Sequence, residues 1–249
     1  MIFQYYPEPI DDLLSVLGYW DLMFSGFVVT MWLYGIAILM GFIIGLFFAI
    51  LRLYGGRILS RIATAYIEVI RGTPLLAQLF LFYFLPYSLK IPIARFSYGL
   101  SFTMFGKDIS IVLLNHRVIV GIITLSLNSS AYQAEYFRGA MMSVGTGQLM
   151  AAQSLGMSRR SGILHIVLPQ ALRRVIPAWS NEAAYLPKYT VVVYFIGVIE
   201  LFGQAHNIVA YTFVSLLTYI IVAIIFLILI ATISKGLDYL HKRTSIPGL

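Results

Sequence analysis

The chain has 249 residues, 60% of them hydrophobic and 11% charged, with a formal net charge of +7; five apolar runs in so short a chain require hydrocarbon as the main solvent and exclude the ordinary water-soluble class. The absence of cysteine excludes disulfides, thiolate nucleophiles and cysteine metal sites. The basic balance does not call for nucleic acid, because membrane proteins gather Lys and Arg on their cytoplasmic loops.

The first 22 residues carry Glu8, Asp11, Asp12 and Asp21 and no Lys or Arg. Phe24 to Leu51 follows, 28 residues without a charge, which at about 1.5 Å per residue crosses a hydrocarbon core of about 30 Å with some tilt. Arg52, Arg57 and Arg61 come directly after it, so the positive-inside rule places the N-terminus outside. With no basic leader and a first span this long, a cleaved signal peptide is not expected. Gly72 to Leu89 is uncharged but meets Pro86 near its end, and Val118 to Ala134 stops at Glu135. The next run, Val175 to Ile199, is interrupted by Pro177, Glu182, Pro187 and Lys188; lipid tolerates such groups only where they face protein or water. Ala210 to Ser234 is again uncharged over 25 residues.

These runs predict spans over approximately 23–52, 70–89, 117–140, 175–199 and 209–234. The alternation puts 52–71, 138–174 and 235–249 in the cytoplasm, where twelve of the seventeen basic residues lie. The expectation is an all-α integral membrane protein of a single domain, 1–249, with about five transmembrane helices and a cytoplasmic C-terminus; there is no repeat or long linker. The outer segment Lys90–Arg117, rich in Phe, Tyr and Ile, is expected to lie along the membrane surface.

The inner segment 141–174 is the longest on its side. Gln148 to Leu155 is made of good helix formers, and Gly156 stands where a left-handed residue closes a short helix. Ser158 is placed to cap a second helix, which Pro169 ends or bends. Leu149, Ala152 and Leu155 recur at helical spacing and make a small apolar face, while Ala151 beside Ala152 allows close approach of another surface. Two uses of that face stand open: folding back onto the spans, or lying in a groove of a soluble partner.

The spacing Ala151, Ala152, three residues, Gly156, nine residues, Ile166, Val167, Leu168, Pro169 resembles the EAA loop, E-A-A-x-x-x-G followed by I-x-L-P, of the membrane subunits of ATP-binding-cassette importers. IRGTPLLAQL (70–79), LSLNSSAYQAEYFRGA (125–140), SVGTGQ (143–148), LPQALRRVIPAWSNE (168–182) and VIELFGQA (198–205) are similar to the polar amino-acid permease branch of that family, so the likeness covers most of the chain from Ile70 onward. It implies the type I importer permease fold, with 141–174 as a coupling-helix loop seated on a separate ATPase subunit. The docking residues so implied are Gly147, Leu149, Ala151, Ala152, Leu155, Gly156, Met157 and Arg159. It implies further a second permease subunit, identical or related, an extracytoplasmic solute-binding protein, a small polar or charged amino acid as the substrate, and a multi-pass place in the cytoplasmic (inner) membrane of a prokaryote. No phosphate-binding loop occurs, since the one Gly-Lys pair, Gly106–Lys107, is followed by Asp108. ATP and Mg therefore belong to the partner ATPase, and this chain is expected to hold no cofactor and to catalyse no reaction itself. Two positions depart from the family pattern: Met150 replaces the glutamate of E-A-A, and Lys188 to Val192 reads K-Y-T-V-V where the branch often has K-D-T-S-L.

Ionisable and amide groups at membrane depth are candidates for the transport path. Thr124, Asn128, Tyr132 and Glu135 share one helix face, as do Asn181, Tyr185 and Lys188, and Gln78 follows the Arg71–Pro74 motif. Interhelical hydrogen bonding is the competing use of Asn128 and Gln78; for Glu135 an interfacial pair with Arg138, its i+3 neighbour, competes. Glu182 and Lys188 either meet the two charges of an amino acid or pair within the protein. His116, His165, His206 and His241 lack ligand spacing, so no metal site is expected, and no catalytic constellation is present. The alternative function is a gradient-driven secondary transporter or channel using Glu135, Glu182 or Lys188. It gives no reason for the Ala-Ala to Gly loop, and the five spans lack inverted halves.

Overall fold

The computed structural model describes residues 9–93 and 95–244. Glu8 of the acidic leader, Ala94 of the outer segment and residues 245–249 of the expected inner tail lie outside the described residues. The helices are α1 (Pro9–Leu17), α2 (Trp20–Tyr54), α3 (Gly56–Gly72), α4 (Leu75–Ser88), α5 (His116–Val144), α6 (Thr146–Ser154), α7 (Arg159–Gly162), α8 (Leu168–Arg174), α9 (Ile176–Tyr189), α10 (Leu201–Thr212) and α11 (Ser215–Thr244). A hairpin of β1 (Ser97–Met104) and β2 (Lys107–Asn115) precedes α5. Among the described residues α2 and α11 are long and apolar enough to cross a membrane, and two bent pairs, α3 with α4 and Ile176–Ile196 with α10, qualify if each is taken as one span.

Two compact units are woven from three segments each. One takes the chain up to Gly35, Leu79–Ile122 and Pro187–Leu229; the other takes Ile36–Gln78, Ile123–Leu186 and the chain from Ile230. Helices α2, α4, α5, α9 and α11 each have residues in both units, and they overlap the five apolar runs of the sequence.

In the first unit, Val16, Met23, Leu201, Ala205, Ile208 and Val222 form a buried cluster. Helix α2 approaches α10 closely at Gly26, where a side-chain carbon would lie 2.8 Å from Leu201 Cα and 2.9 Å from the Glu200 carbonyl. Thr30 Oγ1 accepts from Leu201 N at 3.1 Å. Buried Glu200 caps α10, accepting from Phe202 N at 3.0 Å and Gly203 N at 2.9 Å, as a carboxylate does best at a helix start.

The outer segment contains regular structure: residues 97–115 pair as an antiparallel hairpin with Met104 opposite Lys107. Phe105 and Gly106 both take positive φ, 49° and 77°, the sense of turn that matches strand twist. Ile109 and Ile111 point into protein while Asp108, Ser110 and Val112 are exposed, the period-two pattern of a half-buried strand. Lys107 ties the turn to α2 through Asp21 at 2.6 Å and to the link between α1 and α2 through the Gly18 carbonyl.

The second unit is built on Ala49, Ile67, Ala134, Phe137, Met141, Val144, Val167, Ala171 and Val175. Helix α2 meets α5 across Gly41 and Gly45, one turn apart. A side-chain carbon on Gly45 would lie 2.7 Å from the Ser130 carbonyl and 3.1 Å from Ala134 N. Small residues at i and i+4 let two backbones come this near.

The span boundaries differ from expectation in three places. Residues 70–89 do not form one helix: Thr73 is extended (φ −115°, ψ 144°), as the residue before a proline prefers, so α3 stops and α4 restarts with a bend of 107°. The fourth run holds α9, then a 3₁₀ stretch Thr190–Ile196, then left-handed Gly197 at φ 80°. The fifth span starts at Ser215 rather than 209, because Phe213 takes φ 59° and closes α10. Nor does Pro169 end its helix. A π turn, Ile163–Val167, precedes it, with Leu168 N bonded to the Ile163 carbonyl, and the widened turn relieves the clash a proline ring makes with the carbonyl four residues back.

Candidate functional site

In the second unit the polar residues of α5 form two groups. The first joins α5 to α2, α4 and α9. Gln78 Nε2 donates to the carbonyls of Ile70 (2.7 Å) and Thr73 (3.0 Å) and to Thr73 Oγ1 (2.8 Å), bracing the break between α3 and α4. Asn128 Nδ2 donates to Gln78 Oε1 at 3.0 Å. Ser129 Oγ donates to Glu182 Oε1 at 2.6 Å, Gln133 Nε2 donates to Ser129 Oγ at 3.0 Å and to the Ile38 carbonyl at 3.3 Å, and Trp179 Nε1 donates to Gln133 Oε1 at 2.7 Å. Asn128, Ser129, Gln133, Gln78 and Glu182 are all buried. Buried polar groups away from water need such partners, and each amide here has found them inside the chain. Gln78 and Asn128 are brought together, and their mutual bond is the interhelical use named above.

The second group is ionic. Glu135 pairs with Arg138 at 2.8 Å, the expected i, i+3 bridge, and also with Arg52, which reaches Glu68 at 3.2 Å. Arg71 lies 5.3 Å from the centre of the Tyr132 ring, a cation–π distance. This clamp holds α2, α3 and α5 together. Glu135→Gln leaves two partly buried guanidinium groups facing a neutral amide and is expected to lower stability by about 2 kcal/mol. A thermal melt of the purified protein checks this, and a double cycle with Arg138→Gln isolates the pair.

The segment after α5 folds as its local chemistry dictates. Gly145 (φ 81°) breaks α5, and α6 follows. Gly156 takes φ 88°; its N–H bonds the Gln153 carbonyl at 2.9 Å and Met157 N bonds the Ala152 carbonyl at 3.0 Å, a complete Schellman closure. Ser158 caps α7, its oxygen accepting from Ser161 N at 3.2 Å. The apolar face of Leu149, Ala152 and Leu155 divides in two. Ala152 is buried and Leu149 half-buried against α7, where a side chain on Gly162 would meet Leu149 Cδ1 at 2.8 Å. Gly147, Met150, Ala151, Ser154 and Leu155 form the other face, all exposed, with Met150 59% and Leu155 86% open. Gly156 and Arg159 are exposed and Met157 half-buried.

On α9, Asn181, Tyr185 and Lys188 share one exposed face, while Glu182 between them turns inward. Among the described residues no group of three or more His, Asp or Glu side chains can hold a metal ion. Sequence reasoning passed over Ser129, Gln133 and Trp179, whose partners lie on other helices. It also passed over Gly41 and Gly45, whose small-x-x-x-small spacing was readable.

The family model described as "Binding-protein-dependent transport system inner membrane component" matches residues 37–246. The chain is 33% identical over 225 residues to the glutamine transport system permease protein GlnP of Escherichia coli, covering 90% of this chain and 94% of that one. It is 32% identical to the nopaline transport system permease protein NocM of Agrobacterium fabrum, covering 83% and 80%. Among solved structures, that of an amino acid ABC transporter crystallised with histidines superposes with a TM-score of 0.77 at 33% identity, over 92% of this chain and 97% of the other. The MetNI methionine transporter shares the fold at 18% identity and a TM-score of 0.60. The chain belongs to the binding-protein-dependent transport system inner membrane component family and is a permease component of an ATP-binding-cassette importer.

Proposed function

We propose that this chain lies in the cytoplasmic membrane of a prokaryote, forms the translocation path for a small polar or charged amino acid with a second permease subunit, and takes its power from a separate ATPase that binds ATP and Mg. A solute-binding protein on the outer side delivers the substrate. The observation that carries the reading is the exposed face of α6, Gly147, Met150, Ala151, Ser154 and Leu155, held out by the Gly156 closure and covered by no described residue of its own unit. Exposed apolar side chains on a short helix in the segment where the family docks its ATPase are suited to a groove on a soluble partner. Because Met150 stands where the family has glutamate, docking here rests on apolar contact and shape. Leu149 and Ala152 support that face from behind. Names of relatives support an amino acid as the solute, since GlnP is a glutamine permease and NocM a nopaline permease.

The path residues on this reading are the exposed Asn181, Tyr185 and Lys188 of α9, with the half-buried Tyr132 and Glu135, which also serve the ionic clamp, nearer the inner side. Gln78 and Asn128 hold the helices that frame it. Co-purification with the ATPase, and hydrolysis stimulated by an amino-acid-loaded binding protein, test the assignment as a whole. In that reconstituted system Lys188→Met is expected to cut uptake by about tenfold or more, the weight of one charged hydrogen bond, with Asn128→Leu acting through stability instead. Unchanged uptake in Lys188→Met removes that residue from the path.

A further inference from the structure

Helix α2 carries a line of exposed apolar side chains, Leu39, Ile43 and Phe47, 66%, 63% and 57% open, on the face that continues to Leu51 and Tyr54. From Ile43 to Tyr54 the rise is about 16 Å, about the depth of one leaflet in a hydrocarbon core about 30 Å thick. At the end of this line lies a cavity of about 530 Å³ within the second unit. Ile50, Leu51, Ile163 and Leu164 supply apolar wall, and Arg159 and Arg160 also line it. Both arginines are exposed, and neither makes an ion pair among the described residues. The Arg159 guanidinium sits 5.9 Å from the centre of the Tyr54 ring, which orients it at the cavity.

We propose that this cavity binds an anionic phospholipid, its phosphate held by Arg159 and Arg160 and its acyl chain lying along Phe47 and Ile43. A planar guanidinium suits phosphate oxygens, and a basic pocket at the end of a transmembrane helix is electrostatically matched to an anionic headgroup. A free phosphate ion would use the arginines but has no need of the apolar wall or of the line on α2. The occupant touches both α2 and the helical run after Gly156, so the headgroup bridges a span to the loop. The inference stands apart from the ATPase assignment, because it is read by lipid binding alone.

The test is native mass spectrometry of the full-length chain in detergent, titrated with phosphatidylglycerol and with phosphatidylcholine of the same acyl chains. The wild type is expected to prefer phosphatidylglycerol by about thirtyfold, the weight of two basic contacts. Arg159→Gln with Arg160→Gln is expected to abolish the preference. Arg173→Gln, an exposed arginine of α8 away from the cavity, should keep it. Leu164→Trp, which fills the cavity from an exposed position, should weaken phosphatidylglycerol while both arginines remain. Equal affinity for the two lipids overturns the proposal, as does a preference that survives the double substitution. Displacement of phosphatidylglycerol by millimolar inorganic phosphate would assign the arginines to a free anion, and overturns it too. If the double variant keeps its lipid but no longer co-purifies with the ATPase, the arginines belong to the partner and the lipid site falls.

Discussion

Gly156→Val is expected to reduce binding-protein-stimulated ATP hydrolysis by about tenfold or more while the chain still inserts and purifies as a folded species. The cause is confined to the backbone. Gly156 sits at φ 88°, and a Cβ there would meet nothing within 4 Å, so the strain of a substitution comes first from the backbone. A β-branched residue in that region costs about 1–3 kcal/mol, which opposes the two hydrogen bonds that close α6. Without them the exposed face of Met150, Ala151 and Leu155 is no longer held in one orientation. Gly156→Asn, which tolerates left-handed φ far better, should keep most of the coupling. The measurement is hydrolysis in the reconstituted complex, with melting temperature in parallel. Full coupling in the valine variant would remove α6 as the docking element.

The largest loss of stability is expected from Gly45→Leu, about 3 kcal/mol, through overpacking between α2 and α5. Its new carbon would press on Ser130 O and Ala134 N, backbone atoms that cannot swing aside. Gly41→Ala should cost less, because its nearest obstacle is the Gln133 amide at 2.6 Å, a side chain that can shift at the expense of its bond to Ser129. Gly35→Leu provides the contrast, since a Cβ there meets nothing within 4 Å. Thermal unfolding and the yield of monodisperse protein should rank the three as Gly45, Gly41, Gly35. A Gly45→Leu protein as stable as the wild type would refute the close approach of the two helices.

How far the residues alone foretold this structure depends on how local the governing physics is. Helices α2 and α11 were legible because an uncharged run of that length has few other options. The Gly156 closure, the Ser158 cap and the Glu135–Arg138 pair were legible because each involves neighbours within a turn or two. The division of α6 into an inward and an outward face was not. Leu149 and Leu155 have the same chemistry, and only the position of Gly162 on the next helix decides that the first is covered and the second left open. The α5 network was half legible: Asn128 stood out as polar, but its partner on α4 and the partners of Ser129 and Gln133 are set by tertiary packing. The hairpin was concealed by its turn, since Phe105 at positive φ is not the Asn-Gly or Asp-Gly that announces one. Phe213 hid the end of α10 in the same way, and the apolar run continued straight through the break.

The π turn at Ile163–Val167 has a mechanical consequence. With a π turn before it and Pro169 unable to donate, the backbone between Ser158 and Val175 is not one uniform α-helix. On the proposed docking, a displacement at Leu155 passes through this widened turn to reach α9, and π turns and prolines are where helices bend.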